Sequence, residues 1–205
     1  MKLLIATTNL GKIREIEEIL NFATAGSVDL EIIGFDEVKN ISPPEETGAT
    51  YEENALIKAR HYYSESGVPS VADDSGLEVD ALGGRPGVFS ARYAGSQATD
   101  GDRIAKLLEE LRSVPASQRT ARFACAAAFV GPMGEKVFNG YASGSILESP
   151  SGVAGFGYDP VFWYGPLQKT FAEMPQSEKS RISHRGIAFA KMGRWLADLA
   201  RKQAI

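Results

Sequence analysis

The sequence predicts an α/β protein with a mixed β-sheet, and three observations lead to that class. Short apolar runs typical of buried strands alternate with segments whose apolar residues recur every three or four positions, as in amphipathic helices. Residues 119–130 and 135–147 alternate apolar and polar side chains around a glycine-containing turn, which indicates a long antiparallel hairpin. The 205 residues are 43% hydrophobic, so we expect a single domain over residues 1–205 with its own core.

The elements of the first half follow from hydrophobic periodicity and from helix-capping residues. Thr50 and Glu53 form a capping box that begins a helix. The acidic stretch 36–48 contains two adjacent prolines and predicts a loop. In order, we expect a strand over 1–6, a helix over 11–22, a strand over 29–35, a helix from Thr50 to about Ser66, and short strands over 69–73 and 77–82 around a turn at 74–76.

The second half combines a long loop with the hairpin and a final helix. Glycine, serine and arginine are dense over residues 83–99, and long loops inside compact domains are more often functional than idle. In order, we expect this loop, a helix over 100–111, the two hairpin strands, a glycine-rich segment over 152–164, a short polar helix or loop over 176–183, and an amphipathic helix over 184–203.

Charge and cysteine content limit the kinds of partner. The formal charge of -4 argues against non-specific binding to nucleic acid, which needs a basic face. Cys125 is the single cysteine, so no internal disulfide can form. The longest apolar run, 124–130, is too short to cross a bilayer, and the N-terminal apolar run is too short for a secretory signal. We therefore expect a soluble cytoplasmic protein that acts on a small molecule, not on a membrane or a nucleic acid.

A polar segment between the first strand and the first helix predicts anion binding. Free backbone N–H groups and the positive end of the helix macrodipole favour a phosphate, and Lys12 adds a full charge. The segment is not a Walker loop, because Ala6 and Ile13 stand where that pattern requires glycine and a hydroxyl residue. An ordinary N-cap by Thr8 or Asn9 with a solvated lysine is an equally good interpretation. The candidates are Thr7, Thr8, Asn9, Leu10, Gly11 and Lys12.

Two acidic pairs predict a magnesium site. Glu45 and Glu46 lie in the loop before the capped helix, and Asp73 and Asp74 lie at a predicted strand end. Adjacent carboxylates repel each other unless a cation neutralises them, and Mg²⁺ typically takes one or two protein carboxylates together with water and phosphate. The alternatives are a solvated acidic loop for the glutamates and a turn stabilised by Asx hydrogen bonds for the aspartates. Lys58 on the following helix could meet phosphate, although a solvated lysine is the simpler interpretation.

The last cluster contains the parts of a purine pocket. An aromatic side chain can stack on a flat ring, Asp159 can accept hydrogen bonds from ring N–H groups, and Arg185 can donate to an exocyclic oxygen. The alternative places the aromatic residues in the core and His184 beside the N-cap of the last helix. The candidates are Phe156, Gly157, Tyr158, Asp159, Lys179, His184 and Arg185.

Six ordered blocks of this sequence resemble the inosine/xanthosine triphosphate pyrophosphatases. A single block such as SHR would be a weak signal, but together the blocks follow one order from Leu3 to about Leu199. They are TTNLGK at 7–12, EETG at 45–48 with ENALIKAR at 53–60, ADDSGL at 72–77, GGRPGVFSARYAG at 83–95, GFGYDPVF at 155–162 and SHR at 183–185.

The resemblance implies a fold, an activity and an assembly. The family's fold is an elongated α/β structure with a long mixed central sheet flanked by helices and two lobes bordering an active-site cleft, usually in a homodimer. Its members use Mg²⁺ to hydrolyse the deaminated purine nucleoside triphosphates ITP, dITP and XTP to the monophosphate and pyrophosphate, which keeps these bases out of DNA and RNA. Three alternatives stay open: a pyrophosphatase for another unusual nucleotide such as a modified pyrimidine, a sensor that binds a triphosphate without cleaving it, and an α/β domain with a protein partner.

The resemblance also assigns roles to individual residues. Asp74 matches the base that activates water, and the segment 7–12 would hold the triphosphate, with Asn9 and Lys12 the most direct contacts. Lys12 and Lys58 would stabilise charge on the leaving pyrophosphate. Glu45, aided by Glu46, would carry Mg²⁺ with Asp74, and Asp73 is the remaining candidate ligand. The remaining contacts would be Ser75 to the substrate, Phe156, Gly157, Tyr158, Asp159 and Lys179 along the nucleoside, and His184 and Arg185 at the 6-oxo edge of the base.

Overall fold

The computed structural model describes residues 1–7, 9–24, 27–34, 38 and 41–203. Helices and strands alternate over the first half of these residues, and four successive strands followed by two helices form most of the rest. The strands are β1 (Lys2–Ile5), β2 (Glu31–Ile33), β3 (Ser70–Val79), β4 (Thr120–Gly131), β5 (Gly134–Ile146), β6 (Phe162–Tyr164) and β7 (Lys169–Thr170). The helices are α1 (Leu10–Thr24), α2 (Tyr51–Ser66), α3 (Asp100–Glu110), α4 (Gln176–Ile182) and α5 (His184–Gln203). Within the described ranges, no helix has the length and hydropathy needed to span a membrane.

The strands of the described residues form a seven-stranded mixed sheet in the order β2-β1-β3-β4-β5-β6-β7. Strand β1 pairs in parallel with both β2 and β3, whereas β6 pairs antiparallel with β5 and β7. Strands β4 and β5 are neighbours joined by only two residues, Pro132 and Met133, a connection that only antiparallel strands allow. The predicted α/β class and mixed sheet are confirmed.

The chain divides into two compact units. The first unit contains Met1–Asp74, Cys125–Gly140 and His184–Ile205, and the second contains Ser75–Ala124 and Tyr141–Ser183. Strands β3, β4 and β5 each contribute residues to both units, because the boundaries fall inside these strands.

The first unit buries apolar side chains on two faces of its strands. On one face, Ile16, Ile19 and Leu20 of α1 pack with Met192 and Leu196 of α5. The two helices approach closely at Gly193, where an added Cβ would lie 2.6 Å from Ala23 Cβ. On the other face α2 covers the strands, and its contribution to that core is Ala55, Ala59 and Tyr62. The apolar face of α1 is thus buried against α5.

The second unit has a core rich in aromatic residues. The rings of Phe123 and Phe171 are stacked with centroids 5.7 Å apart, and Phe162 lies 4.6 Å from Phe123. Helix α3 adds Ile104 and Leu107 to the same core. Aromatic pairs in this arrangement add about 0.5–1.5 kcal/mol beyond the area that they bury.

Local sequence signals predicted the helix ends well. The capping box at Thr50 is present, with its hydroxyl accepting from the Glu53 N–H and the Glu53 carboxylate accepting in return.

Strand β2 is shorter than the predicted 29–35, and residue 35 lies outside the described residues. The predicted loop is confirmed over 41–48, whereas residues 36, 37, 39 and 40 lie outside the described residues.

One prediction of secondary structure is wrong. Residues 69–82 do not form two short strands around a turn at 74–76, since β3 runs without interruption from Ser70 to Val79 and a 3₁₀ turn follows at Asp80–Leu82. Asp73 and Asp74 therefore lie inside a strand and not at its end. The two carboxylates suggested a turn, but buried cations and an amide satisfy them where they stand, so the strand continues.

Candidate functional site

Asp73 and Asp74 are consecutive residues of β3, so their side chains point to opposite faces of the sheet. Both are buried, with exposures of 2% and 8%. Each carboxylate therefore needs its own partners, and the two sets of partners differ.

Asp73 lies between two cations. Lys12 Nζ is 3.1 Å from both of its carboxylate oxygens, and Arg185 Nη2 is 3.1 Å from Oδ2. Arg185 Nη1 also donates to Glu15 Oε2 at 2.6 Å, and Glu15 is itself buried. Burial alone would raise the pKa of Asp73, but the charges of Lys12 and Arg185 hold that pKa well below its usual range. Asp73 is therefore an ionised structural carboxylate and a poor proton acceptor.

The two cations beside Asp73 are placed by helix N-termini. Asn9 caps α1, because its Oδ1 accepts from the Lys12 N–H at 3.1 Å. Arg185 is the second residue of α5, and this helix lies close to β5 at Gly140. A Cβ at Gly140 would lie 2.1 Å from the His184 carbonyl oxygen, so only glycine allows this approach.

Asp74 has a different environment. Its Oδ2 accepts from Asn54 Nδ2 at 3.0 Å, and Lys58 Nζ lies 3.8 Å from Oδ1. Burial raises the pKa of Asp74 above its ordinary value, with Lys58 and Asn54 opposing the shift and the nearby Glu46 and Asp73 carboxylates adding to it. A carboxylate whose pKa is raised holds a proton more readily, which suits a general base.

Lys58 links Asp74 to the acidic loop. Its Nζ donates to Glu46 Oε1 at 3.0 Å. Burial would lower the pKa of Lys58, but the carboxylates of Asp74, Asp73 and Glu46 together raise it, so the amine stays charged. Glu45, in contrast, is exposed to solvent, so of the two glutamates it is Glu46 that the fold brings to Asp74.

The donor set around Asp74 fits a hard divalent cation. Burial is the main cause of the raised pKa of Asp74, and the nearby carboxylates of Glu46 and Asp73 add to it; a divalent cation would offset both effects. Among the described residues, no group of three or more acidic, histidine or cysteine side chains is arranged to hold a metal ion. A cation here would thus take one or two carboxylates, Glu46 and Asp74, and complete its shell with water and phosphate, the usual arrangement of Mg²⁺.

The predicted nucleoside-side residues lie together in the second unit. Lys179 Nζ donates to Asp159 Oδ2 at 2.6 Å, and both side chains are buried. The same Nζ lies 4.8 Å from the centre of the Phe156 ring, a cation–π contact, and the Phe156 N–H donates to Asp159 at 3.0 Å. Tyr158 is buried in the core and its hydroxyl donates to the Ser90 carbonyl at 2.9 Å. Phe156, which is only half-buried, is the aromatic ring of this segment best placed to meet a ligand.

The fold thus brings many of the predicted residues into three groups. Two groups are in the first unit and one is in the second: Lys12, Asp73 and Arg185; Glu46, Lys58 and Asp74; Phe156, Asp159 and Lys179. Ser75 follows Asp74 on β3, and His184 is buried at the start of α5. Thr8 lies outside the described residues.

Two residues that contact these groups had no role assigned from the sequence. Glu15 could have been found from its position three residues after Lys12, on the same face of α1. Asn54 shares a face of α2 with Lys58, but nothing in the sequence indicates that its amide bonds Asp74.

Comparison with known proteins assigns the chain to a family. A sequence model of the Ham1 family matches residues 3–195, nearly the whole chain. The chain belongs to the Ham1 family. This Ham1 protein is 46% identical over 190 residues to a protein of Geobacter sulfurreducens named dITP/XTP pyrophosphatase, with 92% of this chain and 93% of that one covered.

Solved structures agree with this assignment. The HAM1 protein from Coxiella burnetii superposes with a TM-score of 0.86 at 40% identity and covers 97% of this chain and 99% of its own. The Staphylococcus aureus Ham1 protein gives a TM-score of 0.85 at 40% identity and covers 97% of this chain and 100% of its own. The predicted family and fold are confirmed.

Proposed function

We propose that this Ham1 protein is a dITP/XTP pyrophosphatase that hydrolyses ITP, dITP and XTP to the nucleoside monophosphate and pyrophosphate. The observation that carries the proposal is the contrast between its adjacent aspartates. Asp73 is neutralised by Lys12 and Arg185, whereas Asp74 has a raised pKa beside Lys58 and Glu46. The name of the 46% identical Geobacter sulfurreducens relative supports the substrate class.

Asp74 acts as the general base in this proposal. It takes a proton from water as the oxygen attacks the α-phosphorus, and the bond to the leaving pyrophosphate breaks. Negative charge develops on the leaving group, where Lys58 and Lys12 stabilise it from fixed positions. The capped N-terminus of α1, at Asn9, adds backbone N–H groups for a phosphate.

We also propose that Glu46 and Asp74 would hold a Mg²⁺ ion. When bound, the ion would lower the pKa of the attacking water and neutralise charge on the phosphates. The placement of Glu46 on Lys58 supports it as a ligand over the exposed Glu45. Asp73 is fully occupied by cations, which argues for a supporting role at this site.

Selection of the base is proposed to depend on the 6-oxo group. His184 and Arg185 begin α5, and Arg185 is held rigidly by Glu15 and Asp73. Fixed donors bind the carbonyl oxygen of a deaminated purine, whereas the 6-amino group of adenine would leave a buried donor facing another donor. Sites of this kind discriminate by about 10⁴-fold or more.

We also propose that the chain forms a homodimer in the cytoplasm, a proposal that rests on the family resemblance. Light scattering on the purified protein tests the assembly. A particle mass of twice the 22.1 kDa chain supports a dimer, and a mass of one chain contradicts it.

A substrate panel tests the proposed function. Purified protein is incubated with ITP, dITP, XTP, ATP, GTP and a modified pyrimidine triphosphate, with and without Mg²⁺, and products are separated by chromatography. We expect monophosphate and pyrophosphate from the first three nucleotides, with the metal required. Binding without cleavage, or cleavage of the pyrimidine alone, would contradict the proposal.

A further inference from the structure

Asn54 joins the two acidic parts of the first unit through one side chain. It is fully buried, with 0% exposure, near the start of α2. Its Oδ1 accepts from the Gly48 N–H at 2.8 Å, and Gly48 ends the loop segment that carries Glu46. Its Nδ2 donates to Asp74 Oδ2 at 3.0 Å. One carboxamide therefore fixes both the acidic loop and the carboxylate of Asp74.

The chemistry of this position requires an amide. The carboxamide must accept from a backbone N–H and donate to a carboxylate, and these two bonds also fix which end is oxygen. An aspartate could accept from the Gly48 N–H, but its negative charge would repel the Asp74 carboxylate. Gly48 is fitted to the same contact, because a Cβ there would lie 2.7 Å from Asn54 Oδ1.

We infer that Asn54 is a positioning residue for hydrolysis: it sets the orientation of the Asp74 carboxylate and holds the Glu46 loop against it. This inference rests on the proposed function, since it assigns Asn54 to the reaction that Asp74 serves. Residues of this supporting kind change activity by about 10- to 100-fold when they are replaced.

The test compares Asn54→Asp and Asn54→Ala with a matched control, an asparagine of β5 that contacts the same helix. Asn139 Nδ2 donates to Glu52 Oε1 of α2 at 2.9 Å, so Asn139→Asp makes the same chemical change at an amide–carboxylate pair away from Asp74. We expect both Asn54 variants to lower kcat for ITP about 10- to 100-fold. We expect KM and the affinity for a non-hydrolysable ITP analogue to stay within about threefold, and Asn139→Asp to keep its kcat.

Hydrogen exchange of residues 41–49 gives a readout that does not depend on turnover. Asn54→Asp keeps the acceptor for the Gly48 N–H, so this segment should stay protected, whereas Asn54→Ala should expose it. If Asn54→Asp does not fold, Asn54→Ala, which removes both hydrogen bonds without adding a charge, should still lower kcat.

Three results contradict parts of the inference. A folded Asn54→Asp or Asn54→Ala enzyme with wild-type kcat contradicts the positioning role, and so does a loss of kcat equal to that of Asn139→Asp. Unchanged exchange in Asn54→Ala contradicts the role in holding the loop. A wild-type protein inactive on every nucleotide would instead contradict the proposed function, and the catalytic part of the inference with it.

Discussion

At the residue scale, Asp73 and Asp74 are neighbours in sequence whose carboxylates are surrounded by different charges. Asp73 has Lys12 and Arg185 on its own face of the strand, whereas Asp74 has Asn54 and Lys58. Because strand geometry separates the two faces, one aspartate can stay ionised as a structural group while the other exchanges a proton.

Replacement of the base should separate chemistry from binding. Asp74→Asn keeps the size of the side chain but cannot accept the proton, so we expect kcat for ITP to fall by about 10²- to 10⁴-fold. Most phosphate contacts remain, so the analogue should still bind. Single-turnover kinetics and calorimetric titration measure the two effects, and wild-type turnover in this variant would remove Asp74 from its role.

Replacement of the structural aspartate should instead lower stability. Asp73→Asn leaves Lys12 and Arg185 with too little buried negative charge, which costs about 3–5 kcal/mol in the free energy of unfolding. Urea denaturation measures the loss. The control Glu109→Gln breaks an exposed ion pair with Arg112 and should have a much smaller effect. Equal effects of the two substitutions would contradict the buried network.

The contribution of Asp73 to the free energy of unfolding should also depend on pH. Burial opposes ionisation, yet the neighbouring cations lower the pKa of Asp73 in the folded protein. A lowered folded pKa stabilises the protein above the pKa of the unfolded residue, and this stabilisation is lost as the pH falls. The difference in the free energy of unfolding between wild type and Asp73→Asn should have its full size at pH 7 and become smaller below about pH 4. A constant difference across this range would argue against an ionised Asp73.

At the element scale, the segment 155–159 is held by α3. Asp100, the first residue of this helix, accepts from the Gly157 N–H at 2.7 Å and pairs with Arg103 through its other oxygen. Because Phe156 belongs to the same segment, the helix fixes residues that the family resemblance places along the nucleoside.

Loss of the hydrogen bond between Asp100 and the Gly157 N–H should weaken nucleoside binding more than it lowers the rate of hydrolysis. We expect Asp100→Ala to raise KM for ITP about fivefold, as for the loss of one hydrogen bond, with little change in kcat. Asp100→Asn should restore KM, because its amide oxygen can accept from Gly157. Asp102→Ala, which removes only a helix cap, serves as the control in the same steady-state measurement. An unchanged KM in Asp100→Ala would show that α3 does not position this segment.

Some of these elements could be predicted from the sequence and others could not. The capping box of α2 was predictable because both residues lie within one turn. The continuity of β3 was not, because the partners of Asp73 are 61 and 112 residues away along the chain. The motif blocks put Glu45 first and Glu46 second, whereas in the structure it is Glu46 that Lys58 contacts.

At the scale of the whole molecule, the distribution of charge matters more than its sum. The net charge of -4 would repel a triphosphate, and in the first unit the cations Lys12, Lys58 and Arg185 lie beside carboxylates, those of Glu15, Glu46, Asp73 and Asp74. Each of these cations is paired with carboxylates and so kept in place. Because four carboxylates outnumber these three cations, the proposed Mg²⁺ would be needed to attract a triphosphate, whereas the net negative charge of the protein disfavours nucleic acid.

Isotope labelling tests the central claim most directly, because it reports which phosphorus the water attacks. ITP is hydrolysed by the wild-type protein in ¹⁸O-enriched water, and the products are analysed by mass spectrometry. Attack at the α-phosphorus, with Asp74 as base, places the label in the monophosphate and leaves pyrophosphate unlabelled. Label in the pyrophosphate, or release of inorganic phosphate, would contradict attack at the α-phosphorus.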